Sequence, residues 1–192
     1  DEVLAALRHT LTLPAPGRRV GVAVAGPAHV GTGTLQALAA LTRELDVPLH
    51  VNAAVDQAEV RAVWHGDGPL AERATAAGSQ FEWQGTGTGL GPVRYLAECG
   101  GTRPGNSIAY GVWVDDREVR RLASDGGALV ACPRAADRLR TGPVPLERYA
   151  GAGVRMALGT ESLAAVPDMD PTAEAAAWVA AAREQGIALW PG

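Results

Sequence analysis

Lysine is missing from the chain altogether. Across 192 residues the 17 basic side chains other than histidine are all arginine. In so alanine-rich a background this reads as a coding bias of the source genome, not as function. Cysteine is scarce as well. Cys99 and Cys132 show no metal-ligand spacing, and two isolated thiols suit a reducing compartment in which each packs as a small apolar residue without a disulfide. No apolar run approaches the roughly 20 residues needed to cross a bilayer. Asp1 and Glu2 carry the opposite charge from the start of a signal peptide. The expectation is a cytoplasmic protein with no membrane partner. A basic surface is lacking too: the net charge of −4 and the pI near 5.6 exclude nucleic acid, because neutralising phosphates requires concentrated positive charge.

What is present is a globular composition, 47% apolar with a mean hydropathy of +0.01, long enough to bury one substantial core. A single domain over residues 1–192 is expected. Short runs rich in valine, alanine and leucine alternate with helical patterns, which predicts an α/β fold of βα units around a parallel sheet. The runs fall at 19–25, 48–53, 107–114, 128–132 and 155–159, and their apolar character predicts strands buried on both faces. Helical periodicity predicts helices at 34–45, 57–63, 92–99, 116–123, 145–150 and 171–184. Asp115 with Glu118 three residues on has the spacing of a capping box, Gly126 or Gly127 supplies the stop, and Asp170-Pro171 places a cap before a first-turn proline. Residues 69–91 break the rhythm and predict a mobile loop or a poorly ordered insert. The glycine-threonine run from Gly85 to Gly91 lacks the Gly-Lys-Ser/Thr ending of a phosphate loop.

Four segments carry a more specific signal: Leu49-His-Val-Asn-Ala-Ala-Val55 followed by Glu59-Val60, then Tyr110-Gly-Val-Trp-Val114 with Asp115 and Asp116, then Cys132-Pro-Arg-Ala-Ala136, and last Leu158-Gly-Thr-Glu-Ser162. In order and spacing they resemble landmarks of the amidohydrolase superfamily, in the branch of nucleobase, aminofutalosine and triazine deaminases. The likeness runs from about Leu13 to Trp190. It implies a partial (β/α)8 TIM-type barrel, about strands 4 to 8, with parallel strands and outer helices.

The resemblance also implies where a metal would sit, and there the residues differ. Two histidine ligands of the family fall on Asn52 and Tyr110, its metal-bound aspartate on Glu161, and its proton-shuttling glutamate on Val55. The His-x-His pair of the first barrel strand lies before the start of this sequence. A catalytic zinc takes about three nitrogen, sulfur or carboxylate ligands at about 2.0–2.3 Å, and asparagine and a phenol of ordinary pKa about 10 are poor substitutes. The expected reading is therefore no cofactor and no metal; the alternative is zinc or another divalent metal held by a set such as His50, His29 and Glu161. His50 has a plainer role as a hydrogen-bonded residue within the barrel, His29 as a loop residue, and His65 and His9 as surface residues.

The candidate catalytic residues are Glu161, Tyr110 and His50, and the candidate substrate-binding residues are Asn52, Arg134, Trp113 and Ser162. Arg134 follows a strand end, where βα loops build the sites of this architecture. It either holds an anionic ligand or pairs with Asp115, Asp137 or Glu161. Trp113 reads most simply as a core or rim aromatic. Five strands do not close an eight-stranded barrel, so a complementary half-barrel chain or a homo-oligomer is expected. The absence of an initiator methionine and a beginning within a helix favour the remnant of a longer protein. Two functions stand: a pseudoenzyme-like scaffold that binds a small polar molecule, supports a partner or runs metal-free chemistry, and an active hydrolase of C–N bonds with an altered or shared metal site.

Overall fold

A computed structural model describes residues 2–187 of the chain; Asp1 and Trp190 lie outside them. Five parallel strands form one open sheet: β1 Val22–Val24, β2 Leu49–Ala53, β3 Ser107–Tyr110, β4 Ala128–Ala131 and β5 Arg155–Leu158, adjacent in chain order. The helices are α1 Glu2–Thr12, α2 Thr32–Glu44, α3 Gln57–His65, α4 Pro69–Ala76, α5 Pro92–Glu98, α6 Asp116–Asp125, α7 Pro133–Leu139, α8 Leu146–Gly151 and α9 Pro171–Glu184, with a 3-10 turn at Pro27–His29. This is the α/β sector of a barrel that the motifs predict, and among the described residues β1 and β5 each pair on one side only.

The two faces of the sheet differ. Val22, Val24, Leu49, Val51, Ile108, Leu129 and Ala131 point to the side covered by helices and are buried with Leu35, Leu38, Leu96, Leu122 and Tyr149. Each fully buried leucine or isoleucine contributes roughly 1.5–3 kcal/mol, so this face holds the core. The other face carries small or polar side chains. His50, Asn52, Ser107 and Val130 are half-buried on it, while Ala23, Arg155 and Ala157 are exposed. Burial on both faces, expected from the apolar runs, is therefore met on one face only.

Three further expectations need correction. The run at 107–114 stops being a strand at Tyr110, because Tyr110 and Gly111 take φ of 69° and 56°. The next amides leave the ladder: Gly111 donates to the Ala53 carbonyl, and Val112 and Trp113 both donate to that of Ala54. Val112 and Val114 are apolar because they are buried in the turn. Helices α4 and α7 went unpredicted: α4 falls in the stretch read as a loose insert, and α7 in the Cys132-Pro-Arg segment read as a strand-end motif.

The segment 69–91 is not a loose insert. After α4 it is pinned by Trp83, which is buried and stacks edge-on against Tyr95. Glu82 accepts from the Thr32 amide at the start of α2. The glycine-threonine run caps the end of α3: Thr88 donates to the Val63 carbonyl and Gly89 to that of Trp64, bonds that a helix terminus otherwise leaves to water. Gly87, at φ +67°, lies so near the Trp64 carbonyl that a Cβ would collide with it. Close approach of backbone to backbone, not phosphate binding, explains that glycine.

Candidate functional site at the strand ends

The carboxyl ends of β2, β3 and β5 meet in a small polar cluster. Tyr110 closes β3, and its phenol donates to Glu161 Oε1 at 2.9 Å from the loop after β5. Both residues have positive φ, 69° for Tyr110 and 60° for Glu161, as does Ala54 at 54° just past β2. Such conformations cost of order 1–3 kcal/mol each for residues with a Cβ, and they persist here because neighbours hold them. Tyr149 on α8 is fully buried, and its hydroxyl donates to the Gly111 carbonyl at 2.8 Å. Gly111 has no room for a side chain, since a Cβ would strike that hydroxyl.

Electrostatics keep the Tyr110 phenol protonated. Burial raises its pKa, and the hydrogen bond to Glu161 and the charge of that carboxylate raise it further. The pair is thus a neutral donor on a carboxylate acceptor. Cys132, past the end of β4, is pushed up to about 12 by burial first and then by Glu161 and Glu174, so its thiol stays protonated and inert at neutral pH.

His50 occupies the open face of β2. Its register neighbour on β3 is Ser107, and His50 Nδ1 lies 2.8 Å from Ser107 Oγ. Burial lowers the imidazole pKa, opposed by the Glu161 charge, so the ring favours its neutral form. That is the plainer role foreseen for His50. Asn52 is half-buried two residues further along the same face. His29 is exposed in its 3-10 turn, and His9 and His65 are exposed on helices. Among the described residues no three histidine, cysteine, aspartate or glutamate side chains converge as a metal set, so His50, His29 and Glu161 do not form one.

The remaining candidates are placed elsewhere. Arg134 pairs with Asp168 at 2.8 Å and lies 3.9 Å from the fully buried Glu174, not with Asp115, Asp137 or Glu161. Glu174 Oε1 also accepts from the Arg134 amide, so this arginine ties α7 to the start of α9. Trp113, 39% exposed, donates its indole N–H to the Thr141 carbonyl and lines an open groove of about 1040 Å³ with Trp64, Arg61 and Arg148; neither Tyr110 nor Glu161 lines that groove. Ser162 is exposed and begins a turn, its carbonyl accepting from Ala165 and Val166. Sequence reasoning missed Ser107 and Tyr149. Neither carries a local signal, because one depends on strand register and the other on a bond between residues 38 apart in sequence.

The donor set does not fit a catalytic metal of the kind the motifs imply. Asn52 offers only an amide. The Tyr110 phenol is held away from ionisation, and it already occupies one oxygen of the single carboxylate, Glu161. Zinc sites are built from imidazole, thiolate and carboxylate.

No protein-family model matches the chain. Among curated proteins it is 32% identical over 173 residues to the aminodeoxyfutalosine deaminase of Deinococcus radiodurans, covering 85% of this chain and 41% of that one. It is 30% identical over 141 residues to a 5-methylthioadenosine/S-adenosylhomocysteine deaminase of Halobacterium salinarum, covering 73% and 28%. Among solved structures it is similar to an adenosine deaminase from Xanthomonas campestris with bound zinc, at a TM-score of 0.73 and 19% identity over 96% of this chain and 37% of that one. The chain thus spans about two fifths of the first relative's length and less of the second's. The order of its strands, the four motifs and these relatives agree: the chain belongs to the amidohydrolase superfamily, in its deaminase branch, and matches the C-terminal part of the barrel.

Proposed function

We propose that this chain is a sector of a deaminase-type barrel whose strand-end site works without a resident metal, binding a small polar molecule through Glu161, Asn52 and His50. The observation that carries this reading is the Tyr110–Glu161 hydrogen bond, which joins the two residues standing at ligand positions of the family. The phenol proton is held in the hydrogen bond to Glu161 Oε1 at 2.9 Å, so the pair satisfies itself within the chain. It leaves the second Glu161 oxygen and the Asn52 amide to meet donors and an acceptor of a ligand. General acid–base chemistry by the pair is limited to a proton moving between the phenol and the carboxylate.

The names of the relatives favour a second reading, a working deaminase in which further residues from outside the described region or from a partner complete a metal set. The two separate in one experiment with 5-methylthioadenosine as the probe. Saturable heat of binding without ammonia release, unchanged by added zinc and lost in Glu161→Ala, supports the metal-free site. Zinc-dependent ammonia release supports the deaminase and ends the first reading.

A complementary half-barrel chain, or a second copy, belongs to the same proposal. Exposed apolar side chains flank both free sheet edges in sequence, with Val3, Leu13 and Val20 before β1 and Leu158, Leu163 and Met169 at and after β5. An unpaired parallel edge beside apolar surface calls for cover. The native mass in solution tests this: a monomeric chain would remove the partner from the account.

A further inference from the structure

Glu59 on α3 is only 7% exposed, and its two carboxylate oxygens are treated differently. Oε2 accepts from the amide of Val55, one residue before the N-cap, at 2.7 Å, while Oδ1 of the N-cap Asp56 accepts from the Glu59 amide. Oε1 is buried with no hydrogen-bond partner. An orphaned charged oxygen in such a place is costly. The charges that bear on it most are also acidic: Asp56 at the N-cap of its own helix, and Glu118 on α6. Glu118 is itself buried and occupied by the amides of Val93, Arg94 and Asp115. Of the other ionisable groups on elements packed against α3, Glu72, Arg73, Glu98 and His29 are exposed, Arg94 is half-buried, and Tyr95 is buried with its hydroxyl hydrogen-bonded to that of Thr32.

The turn that Glu59 holds is the one that holds the site. The Ala54 carbonyl accepts from both Val112 and Trp113 at 2.9 Å, and the Ala53 carbonyl accepts from Gly111 at 3.0 Å. The backbone after Tyr110 therefore leans on the residues that the Glu59 carboxylate pins. We propose that Glu59 is a proton-operated latch: with its carboxyl protonated the turns after β2 and β3 stay docked, and with it ionised the lone buried charge loosens them and shifts Tyr110. The consequence for ligand binding rests on the metal-free reading of the Tyr110–Glu161 site, but the latch itself does not. Burial is the first cause; the backbone amides of Val55 and Ala54 oppose it and the two acidic neighbours add to it, leaving the carboxyl at about 7, which places its switching in the physiological range.

The test is an NMR titration of the full chain over about pH 6 to 8, with no ligand or metal added. It follows the side-chain carboxyl carbon of Glu59 and the backbone amide of Trp113. The expected result is one shared midpoint near 7, present in Glu118→Gln and absent at the Trp113 amide in Glu59→Gln. A Trp113 amide that does not move with the Glu59 carbon in the wild-type chain overturns the latch, as does a transition that persists in Glu59→Gln. Should that variant fail to fold, the wild-type co-titration alone decides. A failure here leaves the Tyr110–Glu161 reading to its own calorimetric test.

Discussion

Replacing Tyr149 by phenylalanine removes one oxygen atom, and that atom supports the backbone of the candidate site. The hydroxyl is buried, burial raises its pKa so that it is always a neutral donor, and its one acceptor is the Gly111 carbonyl at 2.8 Å. Phenylalanine keeps the ring and its packing, so the loss is confined to the hydrogen bond and a void of a single atom. An orphaned buried acceptor costs about 1–3 kcal/mol, and we expect about 1–2 kcal/mol in urea unfolding with an unchanged m value. Tyr110→Phe provides the contrast. It also deletes one phenol hydroxyl, but its partner Glu161 is half-buried and can recover water, so a loss below about 1 kcal/mol is expected. A Tyr149→Phe variant as stable as the parent, or less affected than Tyr110→Phe, refutes the assignment of Tyr149 as the support of the Tyr110–Gly111 turn.

Other outcomes follow from the same geometry. Glu59 makes stability depend on pH: its folded pKa of about 7 stands above the ordinary 4.5. Its contribution is therefore fully present below the unfolded value and is lost as pH rises through about 7. At about 1.4 kcal/mol per pH unit this amounts to at most about 3.5 kcal/mol, measured by urea unfolding at a series of pH values and flattened in Glu59→Gln. Gly87→Ala combines a positive φ with a collision against the Trp64 carbonyl, and it should lower stability by about 2–4 kcal/mol and open residues 77–91 to protease. Cys132, with its pKa near 12, should resist iodoacetamide in the folded chain at mildly alkaline pH and react once unfolded; rapid labelling of the native protein would contradict its burial.

Much of the fold was legible because local chemistry and tertiary structure agree. The capping box at Asp115, the glycine stop at Gly126 and the Asp170-Pro171 start all appear where the sequence places them. So do five short apolar runs in parallel order. The run through Val112 and Val114 misled because apolar residues in a buried turn look like a continuing strand, and only the positive φ at Tyr110 and Gly111 ends it. The glycine-threonine segment suggested disorder because glycine reports conformational freedom, whereas its role in capping α3 depends on carbonyls 25 residues away. The site was half legible. Motif positions singled out Asn52, Tyr110 and Glu161, and strand alternation put His50 and Asn52 on one face. Which partners they choose depends on register and loop paths. His50 therefore meets Ser107, and Arg134 turns to Asp168 instead of the strand ends.

The proposal to be tested is that the hydrogen-bonded Tyr110–Glu161 pair, at positions where the amidohydrolase resemblance implies metal ligands, serves a site without a resident ion. Elemental analysis of the purified chain after equilibration with zinc and removal of the excess tests it most directly. The account predicts far less than one zinc per chain, with no difference between the parent and Glu161→Ala. One zinc per chain, lost in Glu161→Ala, would contradict it.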